Sequence, residues 1–82
     1  MMDVLYFAWV RERIGIPKEA VETKAKTVAE LVDELRQREE RYALAFADLT
    51  ALRVAVDQEL CEFDANIENA REVAFFPPMT GG

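Results

Sequence analysis

The chain opens on apolar residues whose alternate positions separate into two sets. From Met2 to Val10 (MDVLYFAWV) β-branched and aromatic side chains dominate a short run, which predicts a strand. Met2, Val4, Tyr6 and Ala8 share one face of it, and Asp3, Leu5, Phe7 and Trp9 share the other. Asp3 belongs in water, so Leu5 and Phe7 are expected on an outer face that is unusually apolar. A loop, a terminus or a partner protein must cover such a patch. Arg11 to Pro17, punctuated by Gly15 and Pro17, reads as a connector. Glu19 to Lys24 alternates weakly and predicts a second strand in a hairpin with the first.

The period then changes. Val28, Leu31, Val32 and Leu35 recur at i, i+3, i+4 and i+7, one apolar stripe of an amphipathic helix. Thr27 and Glu30 form a capping box at its start, in which the Thr27 hydroxyl accepts from the Glu30 amide and the Glu30 carboxylate reaches back to the Thr27 amide. The stripe fades between Arg36 and Arg41, and Arg41 to Ala47 reads as a second, short helical segment. Leu52 to Asp57 (LRVAVD) alternates again, with Leu52, Val54 and Val56 inward. Leu60 to Phe63 suggests a short edge strand, Asp64 to Arg71 a loop, and Glu72 to Phe76 (EVAFF) a last strand with Val73 and Phe75 inward. A mixed sheet covered on one face by one main helix and a short helical segment is an α+β arrangement. It is the layout of a β-grasp, or ubiquitin-like, domain over residues 1–76, and it leaves Leu5, Phe7 and Phe76 partly open on the uncovered face.

Composition narrows the chemistry. Eighty-two residues make one small domain with little room for a complete active site of its own. Ten Lys and Arg against sixteen Asp and Glu give a net charge of −6, which argues against nucleic acid or an anionic membrane as partner. No His is present, and the single Cys61 excludes an intrachain disulfide or a cysteine zinc cluster. A reducing, cytoplasmic compartment fits this usage. The longest apolar run, Val4 to Val10, is far short of a membrane span and lacks the flanks of a secretion signal. Cys61 has no His to activate it, and the neighbouring Glu62 would raise its pKa, so it reads as a small packing residue. Asp57, Glu59, Glu62 and Asp64 lack the turn glycine of a calcium loop and read as solvated acids; no metal is expected. Trp9 and Tyr42 read as packing residues.

The informative segment is Phe75-Phe76-Pro77-Pro78-Met79-Thr80-Gly81-Gly82. Two of the three glycines are the final two residues, and the last charged side chain is Glu72. Pro77 and Pro78 remove two backbone donors and must stop the sheet. Residues 77–82 then form a tail: a stiff stalk of Pro77, Pro78, Met79 and Thr80, and a tip, Gly81 and Gly82, narrow enough for a channel that would not admit a Cβ. Such a tail suits delivery of the Gly82 carboxylate into another protein's active site. A carboxylate with a pKa of ~3.5 is ionised and a poor electrophile, and needs activation such as adenylation. The chain has no GxxxxGK[ST] phosphate loop, so a partner must bind the ATP.

With these features the chain resembles the family of molybdopterin synthase small subunits, which are ubiquitin-like sulfur carriers. The resemblance runs through Val4-Leu5-Tyr6-Phe7-Ala8, Val10-Arg11-Glu12, Thr27-Val28 and Val54-Ala55-Val56-Asp57-Gln58, and is most specific from Glu72 to Gly82. It implies a partner similar to ubiquitin-activating enzymes that spends MgATP to adenylate Gly82, and conversion to a thiocarboxylate. It further implies docking on a large synthase subunit and sulfur donation to cyclic pyranopterin monophosphate within a heterotetramer. The carrier itself holds no cofactor and is not an enzyme alone. The resemblance also assigns Phe7, Leu60 and Phe76 to the docking face; the parity of the strands points independently to Phe7 and Phe76 but not to Leu60. The family's Gly-Asp turn before the last strand is here Ala70-Arg71, and the neighbouring Asn69 offers a left-handed residue in its place. A carrier serving thiamine synthesis or tRNA thiolation, a ubiquitin-like modifier joined to lysines, and an interaction domain with an inert tail remain alternatives.

Overall fold

The computed structural model describes residues 1–78. Strands β1 (Met2–Tyr6) and β2 (Lys18–Val21) flank helix α1 (Ala8–Ile14). Helices α2 (Val28–Arg38) and α3 (Glu40–Ala45) follow, then a 3-10 turn (Leu49–Ala51). Strands β3 (Arg53–Val56), β4 (Glu59–Cys61) and β5 (Glu72–Phe76) complete the fold. The sheet has the order β2-β1-β5-β3-β4. β1 and β5 run parallel at its centre and the other neighbours are antiparallel.

Alternation decides what the sheet buries. Val4, Tyr6, Val54, Val73 and Phe75 point to the helical side and are buried. There they meet Val28, Leu31, Val32 and Leu35 of α2, with Tyr42 of α3 and Phe46 just beyond it, all buried as well. The Phe75 ring meets Phe46 edge-on at 5.0 Å and lies near-parallel to Tyr6 at 6.4 Å. Polar groups are drawn into the same side at Glu19. Glu19 Oε2 accepts from the hydroxyls of Tyr6 at 2.7 Å and Tyr42 at 2.6 Å, while its other oxygen faces Arg38 at 3.6 Å.

Four expectations change. The first strand ends at Tyr6 rather than Val10, and Ala8–Ile14, read as strand end and connector, is helix α1. Ala8 takes φ 53°, the Val10 and Arg11 amides turn to the Phe7 carbonyl, and Val10 and Ile14 bury the inner side of the new helix. Gly15, at φ 97°, ends it in the left-handed conformation that glycine tolerates. The second strand covers Lys18–Val21, not Glu19 to Lys24. In the capping box, Thr27 accepts from the Glu30 amide at 3.2 Å, but the Glu30 carboxylate takes the Lys26 amide at 3.4 Å. The Val28 and Ala29 amides are satisfied from outside the helix, by the Ala65 and Phe63 carbonyls. Lastly, Asn69 is not among the positive-φ residues. The turn into β5 is held instead by Asp57, whose Oδ1 accepts from the Arg71 and Glu72 amides at 2.9 and 3.0 Å.

Candidate functional site

The open face of the sheet is best read from its register. One row crosses four strands, Leu5 to Ala74 to Ala55 to Leu60. The two alanines make a shallow floor between larger apolar side chains. One step toward the tail, Phe76 lies opposite Arg53. At the other end Asp3 lies opposite Glu72, close to Asp57. The face thus has three acids with Arg71 at one end, is apolar across its middle, and is aromatic with Arg53 where the chain leaves it.

Phe7 and Leu60, 44% and 72% exposed, are among the most exposed large apolar residues of the described chain. Phe76 is half-buried. Phe7, Ala8, Ala74, Phe76, Pro77 and Pro78 line an apolar groove of about 400 Å³. The turn at Ala8 makes the groove: it swings the chain out of the sheet directly after Phe7, so β1 no longer covers β5 beyond Phe75. On the other side, β3 begins at Arg53, the partner of Phe76. β5 therefore loses both neighbours at Phe76, and the next two residues are prolines with no N–H to offer. Strand pairing ends at Phe76, the prolines begin directly after it, and the groove spans the junction.

Of the residues singled out from sequence, the structure brings Phe7, Phe76, Pro77 and Pro78 together around the groove and sets Leu60 on the same face through Ala55. Met79, Thr80, Gly81 and Gly82 lie outside the described residues. Cys61 is half-buried on the helical side of β4. Burial, with the nearby Glu62 and Asp64 carboxylates, raises its thiol pKa, which disfavours a nucleophilic thiolate. Tyr42 is buried, and Trp9 packs against the core beneath Arg13, whose guanidinium is 4.7 Å from its ring centre. Among the described residues no three acids or cysteines are placed to hold a metal ion, and no helix is long and apolar enough to cross a membrane.

Two features of the face escape sequence reasoning. Ala8 lines the groove only because of the helix that parity did not anticipate. Arg53 was visible only as an outward residue of an alternating strand.

Known proteins resemble this chain in sequence and in fold. The ThiS family model matches residues 4–82. The molybdopterin synthase sulfur carrier subunit of Escherichia coli (strain K12) is 43% identical over 82 residues, all of both chains. That of Haemophilus influenzae is 38% identical over the same span, again all of both chains. Among solved structures, SAMP1 from Haloferax volcanii superposes with a TM-score of 0.77 at 23% identity, covering 99% of this chain and 98% of that one, a likeness of fold. The chain belongs to the ThiS family and is similar over its whole length to molybdopterin synthase sulfur carrier subunits.

Proposed function

We propose that this protein carries sulfur as a thiocarboxylate on Gly82 and donates it in molybdenum cofactor biosynthesis. The observation that carries the reading is the coincidence at Phe76. An apolar docking groove, the end of strand pairing and a Pro-Pro stalk stand at the base of a tail whose sequence is Met-Thr-Gly-Gly. The groove supplies binding area, and residues 77–82 can reach about 20 Å from Phe76 when extended. Binding and chemistry are therefore separated in space, as suits a carrier that is not catalytic alone.

In this reading a partner similar to ubiquitin-activating enzymes binds MgATP. The Gly82 carboxylate attacks the α-phosphorus, pyrophosphate leaves, and an acyl-adenylate forms. A sulfur nucleophile then displaces AMP to give the thiocarboxylate. The charged carrier docks on the large synthase subunit through Phe7, Leu60 and Phe76 and inserts Pro77, Pro78, Met79, Thr80, Gly81 and Gly82. Sulfur passes to cyclic pyranopterin monophosphate to build the dithiolene. Two carriers flanking a dimer of large subunits make the heterotetramer, working in the cytoplasm. ATP and magnesium belong to the adenylating partner, and this chain holds no cofactor.

The test is intact-protein mass spectrometry after incubation with ATP, an active adenylating enzyme and a sulfur donor. One oxygen replaced by sulfur, mapped to the Gly82 peptide, is expected, and transfer to the pyranopterin in the presence of the large subunit assigns the pathway. A thiocarboxylate that the large subunit cannot use would point to thiamine synthesis or tRNA thiolation. Lysine conjugates without a thiocarboxylate would point to a protein modifier, and no reaction to an inert tail.

A further inference from the structure

We infer that Arg53 is the polar specificity determinant of the docking face, and that the large subunit meets it with a carboxylate beside the entrance for the tail. This rests on the docking reading above and adds the sign of charge that the partner must present.

Arg53 occupies a singular place. It lies opposite Phe76 in register, so its side chain leaves the sheet beside the last residue before the prolines. It is exposed, and among the described residues no carboxylate lies within ion-pairing distance of it. Glu62 lines the same surface cavity, of about 490 Å³, yet does not pair with it. Lys18, at the far edge of the sheet, is matched to Asp3 at 3.9 Å.

The guanidinium is also held in position. Nη1 donates to the Leu52 carbonyl at 2.9 Å and, more weakly, to the Thr50 carbonyl at 3.5 Å, and Nη2 and Nε make no hydrogen bond among the described residues, so the donors of one guanidinium edge stay available. A planar group oriented in advance loses less freedom on pairing, and a carboxylate is the group its geometry fits. The surroundings sharpen the point. The chain carries a net charge of −6, and at the far end of the same face the three acids Asp3, Glu72 and Asp57 outnumber Arg71 and the paired Lys18. A partner complementary to that acidic end must change sign at Arg53 to avoid a buried clash of like charges. Sign reversal along the face fixes the orientation in which the carrier seats, with its tail toward the cleft. Arg53 does not reach the chemistry, since an inserted tail carries the reacting carbonyl up to about 20 Å from Phe76.

The experiment measures binding of the intact carrier to its large subunit, and sulfur-transfer kinetics of the thiocarboxylated carrier. The variants are Arg53→Glu, Arg53→Ala, Arg53→Lys and, as a control on the docking face, Phe76→Ala. Arg53→Ala is expected to weaken binding about 2- to 5-fold, the range of a rim ion pair. Arg53→Glu should weaken it about tenfold or more and Arg53→Lys least, with unchanged circular dichroism because the side chain is exposed. KM should rise while kcat holds, and the gap between wild type and Arg53→Glu should shrink in 1 M salt. Arg53→Glu binding as well as or better than wild type, or a loss in kcat alone, overturns the inference. If wild type binds and Phe76→Ala weakens it while Arg53→Glu does not, only the role of Arg53 fails. If wild type does not bind, the docking reading fails with it.

Discussion

Replacing Glu19 by Ala strands two buried hydroxyls at once. Tyr6 and Tyr42 are each 1% exposed, and both hydroxyls donate to the same carboxylate oxygen, at 2.7 and 2.6 Å. A hydrogen bond to a charged group contributes about 1.5–3 kcal/mol, and an unsatisfied buried donor costs about 1–3 kcal/mol. The two bonds share one acceptor and will not add in full. The Glu19 side chain is also 18% exposed, so water entering the space replaces part of what is lost. The pair with Arg38 is at the surface and contributes at most about 1 kcal/mol. The expected loss is therefore about 2–4 kcal/mol, a large fraction of the roughly 4–12 kcal/mol available to a domain of this size. Urea unfolding at neutral pH measures it as a lower midpoint at unchanged slope. Glu19→Gln, which keeps an oxygen for both hydroxyls, should lose only about 1 kcal/mol. Tyr6→Phe added to Glu19→Ala should recover stability, because it removes a stranded donor. A Glu19→Ala protein within about 0.5 kcal/mol of wild type would refute the reasoning. So would a Glu19→Gln protein as damaged as Glu19→Ala, since the ion pair would then carry the effect.

Other outcomes follow from the same structure. Burial first, and then the bond to Glu19, raise the pKa values of Tyr6 and Tyr42 above the ordinary 10. The unfolded chain then releases protons above pH 10 that folded Tyr6 keeps, so stability present below that pH should fall by up to about 1.4 kcal/mol per pH unit from Tyr6, with Tyr42 adding in the same direction, and Tyr6→Phe should flatten the slope in alkaline unfolding titrations. Asp57→Ala removes the acceptor for the Arg71 and Glu72 amides and leaves Ala at φ 49°, which should cost about 1–2 kcal/mol by thermal or urea unfolding. Gln58→Gly, at φ 71° in the two-residue β3–β4 turn, should stabilise by about 0.5–1 kcal/mol in the same assay. Phe75→Ala should cost about 3–5 kcal/mol of stability, whereas Phe76→Ala, on the open face, should leave the melting temperature nearly unchanged and show its loss in binding to the large subunit.

The sheet was legible because alternation and burial are the same fact. Once Asp3 and Glu72 are assigned to water, Val4, Tyr6, Val73 and Phe75 must go inward, and they do. Helix α2 was legible through its stripe and Thr27. Helix α1 was not, because its apolar residues continue those of β1 without a break, and the signal that ends the strand is a backbone turn at an alanine. No residue type announces φ 53° there. The loop before β5 misled for a related reason. Its stabilising group is Asp57, fourteen residues away from Arg71, and sequence order conceals such a contact. Leu60 needed the pairing register. Only when Leu60 is opposite Ala55, and Ala55 opposite Ala74, does it join the face of Leu5 and Phe76.

The turn at Ala8 also explains how so small a domain separates stability from use. Had β1 continued as a strand to Val10, it would have paired alongside residues 77 and 78 and covered the groove. Leaving the sheet at Phe7 sends Val10 and Ile14 into the core, which adds apolar burial to a fold that has little to spare. The same departure exposes Phe7 and clears the side of β5 from which the tail leaves. Core gain and the open apolar groove thus arise from one backbone conformation, and a small residue at that position keeps the groove clear. A side chain larger than alanine there would stand in the groove and bear the left-handed strain as well. Ala8→Gly should therefore keep both the fold and binding to the large subunit. Ala8→Val should lose both, with unfolding and binding read on the same sample; a Val variant as stable and as well bound as wild type would sever the link between this turn and the groove.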